Sequence, residues 1–229
     1  MIEEPKTLRV ARALRRPTAA QVAAFDGLPA AVVLDAMHGA GALSAAIAPL
    51  PGQAVRVCGP ALVAGNQPGD VLATLAALER VEPGDVLMVA VDGYAGAAAA
   101  GDRVAGMARN GGAAALVTDG PLRDLDGLRT VGLPAWCAGL TPASPVGRGP
   151  GTVGLPVDMG GARVAQGDVV VADVDGVVVV PFERLDAVAE AARRVMAAEA
   201  ALDAEVEAGR RDVGLLAEHD ARGDVEWVG

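Results

Sequence analysis

The sequence predicts an α/β domain built on a mixed sheet, and three observations carry that reading. Short runs of Ala, Val and Leu bounded by Gly, Pro or Asp alternate with segments of helical spacing in the early part of the chain. A Val-rich hairpin and one long Ala- and Glu-rich helix then follow, so the sheet cannot be purely parallel. Of the 229 residues, 52% are hydrophobic but only 2% aromatic, and 30 are glycine. A core of such small side chains lets backbones approach closely, with glycine supplying the turns.

From Pro17, PTAAQVAAFDGLPAAVVLDAMHGAG has helical spacing with Thr18 as N-cap, and the break at Gly27-Leu28-Pro29 divides it into two short helices. AVRVCGPALVAG (54–65) alternates and carries a Gly-Pro kink, which predicts a bent strand or two short ones. Gly69-Asp70 opens the amphipathic helix VLATLAALERV, and Pro83-Gly84-Asp85 turns into a fully buried strand at 86–93. A helix from Gly101 to Asn110 is terminated by Gly111-Gly112. AAALVTDG (113–120) is another buried strand ending in a turn, and LPAWCAG (133–139) a short one. Residues 139–156 hold too many turn formers for a regular element. GDVVVADVDGVVVVP (167–181) is a hairpin closed around Asp173 to Gly176, and residues 182–208 form the long helix. The polar tail after Gly209 is expected to be loose or partner-bound. With no repeat and no charged linker, a single domain over 1–229 is expected, its first 16 or so and last 20 or so residues peripheral.

Composition excludes several function classes. The 19 basic and 29 acidic residues give a net charge of −10, and five aromatic rings offer little stacking surface, so nucleic acid is not the expected partner. Lys6 is the single lysine and lies near the N-terminus, which argues against a Schiff-base aldolase, a pyridoxal-phosphate enzyme and a Walker-type phosphate site. His38 and His219 are too few for a histidine-rich zinc site; His38 fits a capping or core role. Cys58 and Cys137 form no CxxC and read as reduced, buried small hydrophobes of a cytoplasmic protein. The charged start lacks the apolar core of a signal peptide, and the apolar runs are too short and broken to cross a membrane. A catalytic metal would have to be held by carboxylates.

The most informative stretch is GDRVAGMARNGGAAALVTDGPLRD (101–124). A buried strand ends at Thr118-Asp119-Gly120 and Arg123-Asp124 follow in the loop, where α/β sheets bind ligands. The carboxylate can ligate a hard divalent ion while the guanidinium stabilises an oxyanion. The same residues also fit a surface Arg-Asp pair in a turn, with Asp119 closing an Asx-turn. Gly101-Asp102 opens the preceding helix, whose free N–H groups suit a carboxylate ligand; plain capping by Asp102 fits as well. Asp92-Gly93 reads as a turn, and Asp173 and Asp175 as hairpin-turn residues without a functional role.

These segments resemble the class II 4-hydroxy-4-methyl-2-oxoglutarate aldolases and their relatives, the RraA-like proteins, over roughly residues 30–200. The likeness rests on the Asp35 helix, CGPA at 58–61, PGD at 68–70, PGDVLMV at 83–89, DGPLRD at 119–124 and the hairpin at 167–181. The last two are specific in combination. The resemblance implies an α/β/β/α swivelling-domain fold, assembled as trimers or hexamers with sites between subunits. It implies that Asp124 ligates the metal, that Arg123 meets the substrate keto oxygen and that Gly101, Asp102, Arg103 and Val104 form the loop holding the pyruvyl carboxylate. The family usually has Glu where this chain has Asp102, so water activation there differs in reach. Glu199 resembles a glutamate lent by a neighbouring subunit to the metal's water shell.

Without an internal lysine, a retro-aldol enzyme must stabilise its enolate with a metal, and with two histidines the ion should be hard and oxygen-ligated, Mg²⁺ or Mn²⁺. The expectation is a lyase that cleaves a short 4-hydroxy-2-oxo acid to pyruvate and decarboxylates oxaloacetate through the same enolate. The alternatives are a non-catalytic RraA-type regulator that binds a ribonuclease, or a family scaffold recruited to another reaction.

Overall fold

Two strands that are buried along their whole length organise the sheet. In the computed structural model, which describes residues 6–229, the elements run β1 (Leu8–Val10), α1 (Ala19–Ala23), α2 (Ala30–Ala36), β2 (Ala48–Pro49) and β3 (Val57–Asn66). There follow α3 (Leu72–Leu78), β4 (Val86–Ala90), α4 (Asp102–Asn110), β5 (Ala115–Thr118), α5 (Leu125–Val131), β6 (Ala135–Cys137) and β7 (Gly151–Val153). The chain continues through β8 (Val157–Met159), β9 (Ala162–Val164), β10 (Val169–Asp173), β11 (Gly176–Val180), a 3-10 turn, α6 (Leu185–Glu207) and α7 (Leu215–Ala221). Among the described residues the main sheet has nine strands, in the order β1-β7-β3-β4-β5-β6-β2, with β10 and β11 branching from β3.

β4 and β5 are buried throughout because consecutive side chains enter two different cores. Leu87, Val89 and Leu116 face α3, α4 and α5, against Ala73, Ala77, Val104, Ala105 and Leu128. Val86, Met88, Ala115 and Val117 face the opposite layer, where Trp136, Met159, Val170 and Val179 pack. β3 to β6 are mutually parallel and joined through α3, α4 and α5, so their carboxyl ends share one edge. The expected mixed α/β architecture with a long C-terminal helix is what the chain adopts.

The kinked segment is one bent strand. Its first half pairs antiparallel with β10 and its second half parallel with β4. At the kink, a Cβ on Gly59 would lie 2.2 Å from the Gly84 carbonyl oxygen, so only glycine fits. Thr18 caps α1 in a capping box with Gln21, as expected. His38 follows the C-cap of α2 in left-handed geometry, where the Gly39 and His38 N–H groups donate to the Leu34 and Asp35 carbonyls; its role is to end the helix.

Several expectations need correction. The 139–156 segment contains β7, held between β1 and β3. The β8–β9 hairpin, α5 and α7 form where the sequence pattern predicts no regular element. The N-terminal arm is integrated from Leu8 onward: β1 pairs with β7, and Arg16 forms ion pairs with buried Asp85 and with Glu82. The residues before Lys6 lie outside the described part. At the other end the chain divides into two compact units, to Ala192 and from Arg193, with the break inside α6 and not after Gly209. The physical reason is that α6 buries Leu185, Val188, Ala189 and Ala192, and nothing beyond. Both cysteines are free; Cys137 is buried and Cys58 half-buried, its thiol pushed up to about 12 by burial and by Asp26. Among the described residues, no helix is long and apolar enough to cross a membrane.

Candidate active site

Most of the motif aspartates are consumed by the fold. Buried Asp119 accepts from the Val91 N–H at 2.8 Å and the Gly93 N–H at 2.9 Å, so it ties the ends of β5 and β4 together and does not close a local Asx-turn. Burial pushes its pKa up against the pull of those donors. Asp70 accepts from the Leu72, Arg148 and Gly149 N–H groups, and Asp168 from those of Ala165 and Phe182. Asp173 accepts from the Asp175 N–H in the hairpin turn and also from the Ala30 N–H at 3.0 Å, which caps α2. The side chains of these residues satisfy backbone donors, which is why the motif needs them.

Asp124 is different. It stands at the N-cap of α5 with φ 63° and ψ 49°, and its carboxylate caps nothing. Among the described residues its only side-chain partner is Arg123, whose Nε lies 3.2 Å from Asp124 Oδ2. At 46% exposure the Asp124 side chain is open to solvent, whereas Arg123, at 31%, is more enclosed. The Arg123 Nη1 donates to Ser144 Oγ.

The two halves of the site meet through the backbone. Ala100 and Leu122 form a parallel bridge, and the Arg123 N–H donates to the Ala100 carbonyl at 3.1 Å. This puts Gly101 directly against the pair: a Cβ there would fall 2.8 Å from Asp124 Oδ2 and 3.0 Å from Arg123 Cγ. Gly101 has extended geometry, so glycine is needed for space. It is also the N-cap of α4 and supplies no side-chain cap, which leaves the first-turn N–H groups of Asp102, Arg103 and Val104 without intrahelical partners.

Gly101, Asp102, Arg103, Val104, Arg123 and Asp124 therefore line one cleft of about 420 Å³. Of these, Val104 is buried and Arg103 exposed. The half-buried Asp102 carboxylate rests against α5, where a Cβ on Gly127 would meet its Oδ2 at 2.3 Å. Glu199 is exposed on α6, in the unit that begins at Arg193. Sequence reasoning missed Ser144 and the apolar wall of Val71, Leu75, Met107 and Pro145. Ser144 carries no signal in a segment read as irregular; the helical spacing of Leu75 and Met107 showed apolar faces but not their shared cleft.

The RraA-like family profile (Aldolase/RraA) matches residues 30–179. A protein of Halalkalibacterium halodurans named "Putative 4-hydroxy-4-methyl-2-oxoglutarate aldolase" is 35% identical over 173 residues, covering 76% of this chain and 82% of that one. Streptomyces coelicolor RraAS2, described as an unusual member of the RNase ES inhibitor RraA protein family, superposes with TM-score 0.72 at 30% identity, over 83% of this chain and 100% of the other. An uncharacterized protein of Pseudomonas syringae shares the fold, with TM-score 0.74 at 24% identity over 86% and 96% of the two chains. By sequence and by fold, this chain belongs to the RraA-like (Aldolase/RraA) family.

Proposed function

We propose that the protein is a divalent-metal-dependent lyase that cleaves a 4-hydroxy-2-oxo acid, such as 4-hydroxy-4-methyl-2-oxoglutarate, and releases pyruvate. One observation carries the reading: an anionic Asp124 free of backbone donors, its neighbour Arg123 and the uncapped N-terminus of α4 open into one cleft. The name of the Halalkalibacterium relative supports the same reaction class.

The donor set fits a hard ion. No group of three or more His, Cys, Asp and Glu able to hold a metal occurs among the described residues, which disfavours a closed zinc site. A lone carboxylate suits Mg²⁺ or Mn²⁺, which keep several waters, and Asp124 would hold it. Bound there, such an ion supplies Lewis-acid stabilisation of a developing enolate.

The chain's own groups do the rest. The free N–H groups of Asp102, Arg103 and Val104 receive the substrate carboxylate at the helix N-terminus. The C4 hydroxyl proton passes to a water oriented by Asp102. As the C3–C4 bond breaks, its electron pair passes into the pyruvate enolate, whose oxyanion the Arg123 guanidinium stabilises, and protonation at C3 completes pyruvate. The same stabilisation supports decarboxylation of oxaloacetate. The site is completed in a trimer or hexamer, with Glu199 coming from a neighbouring copy.

Chelation should abolish pyruvate release, and Mg²⁺ or Mn²⁺ should restore it. Borohydride trapping of a covalent adduct with substrate would instead establish the imine route and refute this reading. The Streptomyces relative supports a second reading, a regulator that binds a ribonuclease. Capture of a ribonuclease by a protein inert toward every 4-hydroxy-2-oxo acid would select it.

A further inference from the structure

Ser144 and Pro145, of the loop at 139–149, line the cleft together with the start of α4, and the loop is fastened at points on both sides of Ser144. The Leu122 N–H donates to the Gly139 carbonyl and the Thr141 N–H to the Leu122 carbonyl, both at 2.9 Å, one residue before Arg123. The Ala98 N–H donates to the Ala143 carbonyl at 2.9 Å. Beyond Ser144, Val146 exchanges backbone hydrogen bonds with Gly69 and Val71, each at 2.9 Å. The end is clamped by Asp70, whose Oδ2 accepts from the Arg148 N–H at 2.7 Å and the Gly149 N–H at 2.9 Å while its Oδ1 accepts from the Leu72 N–H at 2.8 Å. Ser144 is thus fixed by its neighbours on both sides, and its hydroxyl meets Arg123 Nη1.

We propose that this strap, with Asp70 as its clamp and Ser144 as its contact, is a positioning device for Arg123. The guanidinium is held at two corners of its fork, Nε by Asp124 and Nη1 by Ser144, and among the described residues Nη2 has no protein acceptor. Fixing two corners directs the remaining donors into the cleft without a search among rotamers at the moment that charge develops. Ser144 acts through Arg123 and does not itself touch the reacting atoms. The inference rests on the lyase reading for its catalytic consequence only; the restraint of Arg123 is a property of the fold.

Ser144→Ala should lower kcat for pyruvate release about tenfold, the scale of one hydrogen bond to a charged group, with KM and Mn²⁺ affinity within about twofold of wild type. Ser144→Thr keeps the hydroxyl and should recover most of the rate. In an Arg123→Lys background Ser144→Ala should cost nothing further, because the fork it holds is gone. Independently of activity, phenylglyoxal should modify Arg123 faster in Ser144→Ala than in the wild type, as mapped by mass spectrometry. Equal modification rates, an unchanged kcat, or a loss that persists undiminished beside Arg123→Lys would overturn the proposal. A wild-type protein silent toward all 4-hydroxy-2-oxo acids, whose Arg123 is still freed by Ser144→Ala, would sink the lyase reading and leave the positioning device standing.

Discussion

Asp124 occupies the left-handed region of backbone space, which Asp and Asn tolerate better than other side chains. Asp124→Asn therefore keeps the backbone and removes the anion alone. Metal affinity should fall in a Mn²⁺ titration, and part of the rate should return as the ion concentration is raised. Arg123→Lys keeps the charge but loses the planar fork. Its Mn²⁺ affinity should match wild type while turnover at saturating metal falls about 10²- to 10³-fold, the usual cost of one oxyanion donor. A lysine variant that turns over normally would reduce Arg123 to a loop residue. Gly101→Ala tests the contact itself, because its Cβ would press on both side chains, 2.8 Å from Asp124 Oδ2 and 3.0 Å from Arg123 Cγ. It should impair metal affinity and turnover together, with melting temperature near wild type, because Gly101 has a backbone geometry that alanine adopts freely.

At the scale of elements, the carboxylates that hold turns and the one that faces the cleft obey different rules. Asp70 is almost fully buried, which alone would raise its pKa, yet donors from Leu72, Arg148, Gly149 and Val71 outweigh burial and hold the carboxyl below its usual range. A carboxyl depressed in the folded state stabilises fully above its unfolded pKa of about 4 and loses that contribution as pH falls through the folded value. Asp70→Asn offers one acceptor oxygen where three N–H groups converge, so it should melt lower than wild type at neutral pH. The gap should narrow as pH falls from about 4, the unfolded pKa, through the lower value of the folded carboxyl. A gap independent of pH would mean that packing, not charge, makes the clamp.

The same distinction explains what could be read in advance. Buried strands such as VLMVA and ALVT announce themselves because both faces are apolar, and Thr18-x-x-Gln21 announces a helix start. The placement of Gly101-Asp102 at a helix start and of Arg123-Asp124 in the loop after a strand was equally legible. That they touch was not, because the contact depends on the Ala100–Leu122 bridge. α5 was invisible because LDGLRTV is a weak helix former on its own; it packs on α4, and Gly127 makes room for Asp102. β7 is legible only from its neighbours, since three residues beside a Gly-Pro turn carry no periodicity.

For the whole molecule, the distribution of burial sets the question. Every buried core residue lies at or before Ala192, while beyond it Leu202, Val206, Leu215 and Leu216 are exposed and Trp227 is 69% exposed. A ring of copies related head to tail would let residues after Ala192, Glu199 among them, serve a site whose Asp124 belongs to another chain. Light scattering should then report a trimer or hexamer. The sharper test mixes two defective proteins. Asp124→Asn and Glu199→Gln should each be nearly inactive when purified alone. Co-expressed in equal amounts and recovered as mixed oligomers, they should regain about a quarter of wild-type pyruvate release, because a site with Asp124 from one copy and Glu199 from the next is intact when two independent even chances both succeed. A site confined to one chain gives no such recovery, since every copy in the mixture carries one lesion. Two inactive variants that show no recovery would therefore refute a site shared between copies, and a Glu199→Gln variant that is active on its own would place Glu199 outside the site and leave Asp124, Arg123 and the α4 N-terminus to act without it.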